Sequence, residues 1–366
     1  MKLVKNVLLV SNMYPSKKYP HYGVFVKNCE YILRNGGYSV DCVFMSKQDH
    51  LLMKVVCYVL FYLKAIFRGL VGKYDFVYVH YASHVKLIVQ AIKVLRPNLI
   101  VIVNVHGNDI VPIGKGDIKN PARSRVTLRL CDYVVAPSEY FMKILTDDYG
   151  VKVEKIICSP SGGVNDKVFY PKNKLICRRS LGIEDNRIVV GFVSRLEEGK
   201  EWKTFLSSIV ELLKKGINIY YIMIGEGIQS AECKEMIREF TMEEYGEVVS
   251  FVEQKKLCDY YNAFDVFCFP SIQESLGLVG LEAMACGVPS VVSRIPGILT
   301  YAKDGWNCKT VQPGDYVAFS KAIEDIIYMS DEEKKELISN EGVTAAEYAS
   351  SRIAKRFLEK FVEINR

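Results

Sequence analysis

Short apolar runs alternate with longer amphipathic stretches through nearly all 366 residues of this chain. That rhythm suits parallel strands joined by helices that cover both faces of a sheet. In the first half it predicts strands at 6–10, 40–45, 76–80, 100–105, 133–136 and 155–158, with helices at 24–35, 51–71, 84–95, 124–129 and 139–149. A second series starts at Arg187, with strands at 188–192, 219–224, 248–251, 266–269 and 290–293 and helices at 202–215, 231–244, 255–262, 278–285 and 316–328. The polar, basic stretch 169–185 reads as a linker, and the amphipathic segment 344–364 as a final helix that crosses back to the first domain. The expectation is an α/β chain of two doubly wound domains, 1–170 and 186–343, followed by a crossing helix at 344–366. A chain of this length can fill two cores.

Apolar residues at 49% and charged residues at 25% belong to a folded chain rather than a disordered one. The apolar run from Val7 to Val10 is too short for a signal peptide and reads as a buried strand. Eleven cysteines without a C-x-x-C pair fit small core residues in a reducing compartment better than zinc ligands or disulfides, so the cytoplasm is expected. Charge is divided unevenly. Residues 1–170 carry 23 Lys and Arg against 12 Asp and Glu, while the remainder carries 25 against 30. A basic first half implies an anionic partner; with no nucleic-acid module recognisable, a membrane surface is the better candidate.

The stretch 51–71 has the length of a membrane span, but Lys54, Lys64 and Arg68 interrupt it. At about 100° per residue the three cations fall within roughly 80° of arc. Two readings stand: a helix lying in the membrane interface with cations toward lipid phosphates, or a core helix with one solvated stripe.

The densest chemistry lies in residues 264–293, where a strand ends at Pro270, a loop carries Glu274 and Gly277, and a helix opens near Leu278 with Glu282 on it. A helix N-terminus offers unpaired N–H groups and a positive dipole end, a natural seat for a diphosphate. Carboxylates on either side can accept hydrogen bonds from hydroxyls. Either Glu alone would pass for a residue placed by the helix dipole.

Glu274 and Glu282, with seven residues between them, resemble the E-x7-E motif of family 4 glycosyltransferases. GFVSRLEEGKEWKTF (191–205) is similar to that family's G-x-x-x-R-L-x-x-x-K segment, and further likenesses follow at 11–25, 103–109, 131–140, 159–169 and 223–227. The resemblance implies the GT-B fold, two Rossmann-like domains facing a central cleft, and retaining transfer from a nucleotide diphosphate sugar. It implies that Arg195 and Lys200 would neutralise the diphosphate, that Glu282 would bind the ribose and Glu274 the transferred sugar. The backbone of Leu276, Gly277 and Leu278 would hold the diphosphate and sugar, Gly23 would lie beside the diphosphate, and His106 and Asp109 would stand near the transferred sugar and acceptor. Glu274, His106, Arg195 and Lys200 would be the catalytic set.

No D-x-D motif is present, which agrees with Arg195 and Lys200 supplying the positive charge, so neither a metal nor another cofactor is expected. His80 and His84 read as cleft or loop residues without a metal. Two departures stand out: the usual P-N-G-V-D loop appears as Pro160-Ser161-Gly162-Gly163-Val164-Asn165, and Glu253 replaces a common glycine. They leave UDP and GDP both open. The expected function is transfer of a hexose or N-acetylhexosamine to a saccharide, lipid-linked at the inner face of the cytoplasmic membrane, in O-antigen, capsule or other surface polysaccharide synthesis. A silent membrane-bound scaffold or a sugar-nucleotide epimerase of the same fold are the alternatives. GEGIQS (225–230) lacks the third glycine of a dinucleotide fingerprint, so a dehydrogenase is disfavoured.

Overall fold

A computed structural model describes residues 5–19, 22–160 and 162–364. The chain divides into two compact units, residues 1–162 with 353–366 and residues 163–352. The segments 11–25 and 159–169 named above each include positions outside the described residues, namely Pro20, His21 and Ser161.

The first unit runs β1 (Asn6–Ser11), α1 (Val24–Asn35), β2 (Ser39–Phe44), α2 (Leu51–Val71), β3 (Phe76–His80), α3 (Lys86–Leu95), β4 (Ile100–Asn104), α4 (Asn120–Leu130), β5 (Tyr133–Ala136), α5 (Glu139–Asp147) and β6 (Ile156–Cys158). The second contains α6 (Lys174–Leu181), β7 (Ile188–Val193), α7 (Trp202–Lys214), β8 (Ile219–Ile224), α8 (Ser230–Glu239), β9 (Gly246–Val249), α9 (Gln254–Ala263), β10 (Val266–Phe269), α10 (Leu278–Ala285), β11 (Ser290–Ser293), α11 (Pro296–Leu299), β12 (Lys309–Val311), α12 (Tyr316–Ile327) and α13 (Asp331–Glu347). Helix α14 (Ser350–Ile364) ends the described chain.

Each unit is built on one six-stranded sheet, ordered β2-β1-β3-β4-β5-β6 and β12-β11-β10-β7-β8-β9, and every strand pairing is parallel. The central strands are buried on both faces, as β1, β3 and β7 are almost throughout, which is why they read as continuous apolar runs. In each sheet the strand order reverses direction once, between β1 and β3 and between β7 and β10. Loops leaving the C-terminal ends of strands at such a reversal diverge to opposite faces and open a crevice. Those loops hold most of the residues singled out above.

Three expectations are corrected. The stretch 169–185 is not a linker: it carries α6, and Phe169, Cys177 and Ile183 are buried in the second unit's core. One of its four cations, Arg178, is buried. Arg178, 4% exposed, bonds the carbonyl of Ala263 at 3.0 Å and pairs with Asp265. The final helix is two helices. Between them Tyr348 and Ser350 exchange backbone bonds with Val164, at 2.8 and 2.7 Å, which pulls the chain out of helical geometry. Beyond the break Phe357 and Phe361 pack on Phe76 and Tyr78 in the first unit. Strand β9 lies at Gly246–Val249, two residues earlier than its apolar run suggests.

Candidate functional site

In the second unit the loops after β7 and β10 meet at the sheet's reversal point. The backbone N–H of Ile272 donates to the carbonyl of Gly199 at 3.0 Å, and Lys200 Nζ donates to Glu274 Oε1 at 2.6 Å. Both side chains are largely withdrawn from water, 13% and 15% exposed, so their charges are weakly screened and neither tolerates losing the other. Lys200 keeps two further donors for an anion.

Next to this pair, α10 begins with an N-terminus that no side chain caps. Its first backbone N–H groups remain available, and the dipole adds positive potential. Gly277, the capping residue, has φ +83, and a Cβ there would stand 2.7 Å from the ring of Phe269. Only glycine satisfies both demands. The Tyr301 hydroxyl donates to the Gly277 carbonyl at 3.1 Å and fixes the turn. Leu276 turns its side chain into the core, which leaves its backbone as the part that can contact a ligand, and Leu278 is partly buried against the same core.

Glu282 lies on the first turns of α10 and is half-buried. Tyr261 donates to its Oε2 at 3.2 Å. Burial pushes its carboxyl up to about 8, with the Tyr261 bond opposing the rise. The folded chain therefore holds a proton that the unfolded chain releases from its ordinary 4.5 upward, so this group's contribution to stability falls as pH rises through about 8. With some solvent contact left, the penalty at alkaline pH is about 1–3 kcal/mol. Glu282→Gln is expected to melt higher than the parent at alkaline pH, with a flatter decline of melting temperature between pH 5 and 8.5, each about, as pH is scanned. Glu341, fully buried and also held above the carboxylate range by burial, contributes the same sign in both proteins, so the difference between the two curves isolates Glu282. Superimposable curves would refute the assignment.

Arg195 is placed differently from the other cation. Its guanidinium is 70% exposed and pairs with Glu197 at 2.9 Å, so it stands at the mouth of the loop and does not join the Lys200–Glu274 pair.

In the first unit a second group forms at the β1–β3 reversal. His80 at the end of β3 is fully buried, and its Nδ1 lies 3.0 Å from Nε2 of His106, which follows β4. One of the two nitrogens carries the shared proton. The Phe25 ring, two residues beyond Gly23, packs 4.3 Å from the His106 ring, centre to centre, and Tyr81 stacks at 5.2 Å. Gly23 itself opens α1 with φ +81. Burial depresses both imidazoles, His106 to about 3, so the pair is neutral at neutral pH.

Asp109 does not project toward a ligand. It is fully buried, and its carboxylate accepts from the backbone N–H of Ala82, His106 and Gly107 at 3.1, 3.0 and 2.9 Å. It orders the loop that presents His106. Sequence reasoning read His80 as a cleft or loop residue, whereas it ends β3 and pairs with His106, and it missed Tyr261 and Tyr301 as partners of the site. His80 and Asn104 are register partners at the ends of β3 and β4, a signal available once the strands are paired. Nothing local to Tyr261 or Tyr301 marks them.

Comparison with known proteins agrees with the fold. Residues 21–162 match the family described as Glycosyltransferase Family 4, and residues 173–342 match Glycosyl transferases group 1. The chain is 26% identical over 205 residues to the D-inositol 3-phosphate glycosyltransferase of Stackebrandtia nassauensis, a match covering 54% of this chain and 46% of that protein. The alignment thus spans less than half of the relative's length. Among solved structures, sucrose-phosphate synthase from Thermosynechococcus elongatus superposes with a TM-score of 0.79 at 18% identity, over 98% of this chain and 99% of the other. HepE of Anabaena, solved with UDP-glucose, gives 0.75 at 17% identity, over 98% and 99%. Two six-stranded parallel sheets flanked by helices are the GT-B fold. With its two matched domains in order along most of its length, the chain belongs to the family 4-type glycosyltransferases of GT-B fold.

Proposed function

We propose that this chain is a retaining, metal-independent glycosyltransferase that moves a hexose or N-acetylhexosamine from a UDP- or GDP-linked donor to a saccharide acceptor. The observation that carries the reading is the meeting of Lys200–Glu274, the uncapped start of α10 and Glu282 at one reversal point of the second sheet. The diphosphate sits on the α10 N–H groups with Lys200 and the exposed charge of Arg195 beside it, replacing a divalent metal. Glu282 accepts from the ribose hydroxyls and Glu274 from those of the sugar. The bond from the sugar's anomeric carbon to the diphosphate breaks, the acceptor oxygen bonds that carbon from the same face, and its proton passes to the departing phosphate oxygen. Stabilising the charge on that oxygen is the main service of the site. The second unit is read as the donor domain and the first, which presents His106, as the acceptor domain. The basic first half supports a lipid-diphosphate-linked acceptor at the inner face of the cytoplasmic membrane, in O-antigen, capsule or related polysaccharide assembly.

A thermal melt with UDP, GDP, CMP or NAD and no added metal tests the reading. A ligand at a hundred times its dissociation constant stabilises by about 2.7 kcal/mol, a shift of several degrees. The expected result is a shift with UDP or GDP only, lost in Glu282→Ala. A well-folded sample that responds to none of the four would overturn the enzyme reading and favour a silent scaffold of the same fold.

A further inference from the structure

Helix α2 shows an apolar face with nothing packed on it among the described residues. Phe61, Ala65 and Gly69 are its buried residues, and they anchor it to the first unit. On the opposite side Leu52, Val56, Val59, Leu60, Leu63 and Phe67 are between 51% and 83% exposed. At 100° per residue these six fall within roughly 100° of arc, centred nearly opposite the buried face. So many exposed aliphatic side chains on one helix are far from the isolated exposed apolar residue of an ordinary surface. An open hollow of about 760 Å³ adjoins them, lined by Phe44, Met45, Cys57, Phe61 and Phe67 among others. No helix among the described residues is long and apolar enough to cross a membrane.

The charge around this face identifies what covers it. From Lys47 to Lys73 the chain carries five Lys or Arg and one acid, Asp49. Asp49 is taken by Lys18, and Arg68 by Asp41 at 3.0 Å. Lys64 pairs with no carboxylate among the described residues and stands exposed about 40° beyond the edge of the apolar arc, whereas Lys54 lies on the side of the buried residues, where its charge acts on His84. Two copies of the chain joined through α2 would bring cation rows together with no acid on the helix to offset them. A surface that is apolar inside and anionic at its boundary satisfies both the face and its flank: the apolar side chains enter the acyl region while Lys64 reaches back to phosphates.

We propose that α2 docks this chain on an anionic lipid bilayer, lying in the plane of the interface with Leu52, Val56, Val59, Leu60, Leu63 and Phe67 inserted and Lys64 at the headgroups. The docking gives the proposed lipid-linked acceptor a place of encounter and rests on that reading only for its purpose, since the binding itself is independent of transfer.

The test is co-sedimentation of the full chain with phosphatidylcholine vesicles, with and without phosphatidylglycerol, at low and high salt. The parent protein is expected to bind the anionic vesicles and to release in salt. The double variant Leu63→Gln/Phe67→Gln is expected to lose at least about tenfold in partitioning, and Lys64→Ala about fivefold on the anionic vesicles. These side chains are already in water, so melting temperature and the nucleotide-induced shift should not change. Failure of the parent to bind either vesicle, or equal binding by the variants, would overturn the proposal. So would light scattering that shows a dimer which Leu63→Gln/Phe67→Gln converts to monomer, because the face would then belong to a second copy. Vesicle binding without any nucleotide shift would sink the transferase reading alone; a nucleotide shift without vesicle binding would sink the docking alone.

Discussion

Lys200→Ala is expected to lower kcat/KM for sugar transfer by about 10²–10³-fold, the usual loss when one preorganised donor to a developing oxyanion is removed. The expectation follows from position. Lys200 is 13% exposed and hydrogen-bonded to Glu274 beside the uncapped start of α10, where a charge acts through less water than on the surface. A structural role would have a different signature. Removing Lys200 strands Glu274, itself 15% exposed, so the single variant also loses stability. Adding Glu274→Gln removes that stranded charge, so the double variant should regain melting temperature without regaining turnover. Lys200→Arg keeps the charge but changes the donor geometry and should fall between the two. Steady-state kinetics with the donor nucleotide named by the melts, read beside melting curves, decides the matter. A single variant within about threefold of the parent kcat/KM would remove Lys200 from the transition-state machinery.

Gly225→Ala is expected to cost the second unit about 3 kcal/mol, roughly 6–12 °C in a domain of this size. Gly225 follows β8 with φ +144, and a Cβ on it would lie 1.9 Å from the carbonyl oxygen of Ser194. Its N–H donates to Val249 at 2.9 Å, so the residue cannot rotate away without breaking the sheet's edge. The carbonyl it would strike begins the loop that carries Arg195 and Lys200, so nucleotide stabilisation should weaken with stability. Gly305→Ala is the control. Gly305 also has positive φ, +70, but a Cβ there meets nothing within 4 Å, so its cost should stay near 1 kcal/mol, about that of the backbone strain alone. Thermal unfolding of the two variants side by side checks this; a Gly225→Ala protein that melts no lower than Gly305→Ala would refute the steric account.

Gly225 also explains a motif the sequence could only half interpret. GEGIQS resembles the start of a dinucleotide fingerprint without its third glycine. In the structure these glycines serve backbone approach: a Cβ on Gly227 would stand 2.2 Å from the carbonyl of Leu196. Their smallness lets the β8 loop press on the β7 loop, and the pattern is one of packing.

The elements themselves were legible wherever burial was uniform. The bounds of α1, α2, β3, β5, β8, β10, α10 and β11 coincide with the apolar periodicity, because a strand buried on two faces or a helix with one apolar stripe writes its environment into residue order. The edge strand β9 was misplaced because its residues are only half-buried, and a partly solvated strand exerts little selection on pattern. The break at Tyr348–Ala349 has no Gly or Pro to announce it; it is made by Val164, far away in the chain. The basic composition of 169–185 looked like solvated linker because composition cannot tell a surface arginine from Arg178, which is buried with Asp265.

The candidate site divides in the same way. The sequence by itself determined which residue types occupy each loop, that Gly277 precedes a helix carrying Glu282, and that the chain alternates strand and helix. The tertiary structure alone decided that β10 lies beside β7 although 72 residues separate Val193 from Val266, and so that Lys200 meets Glu274. It alone buried the carboxylate of Asp109 under three backbone N–H groups, and coupled His106 to His80. The physical reason is that local order is set by near neighbours, through backbone geometry and the side-chain periodicity it imposes. The order of strands in a sheet is set by the balance of contacts over the whole core, and no short stretch of residues contains that sum.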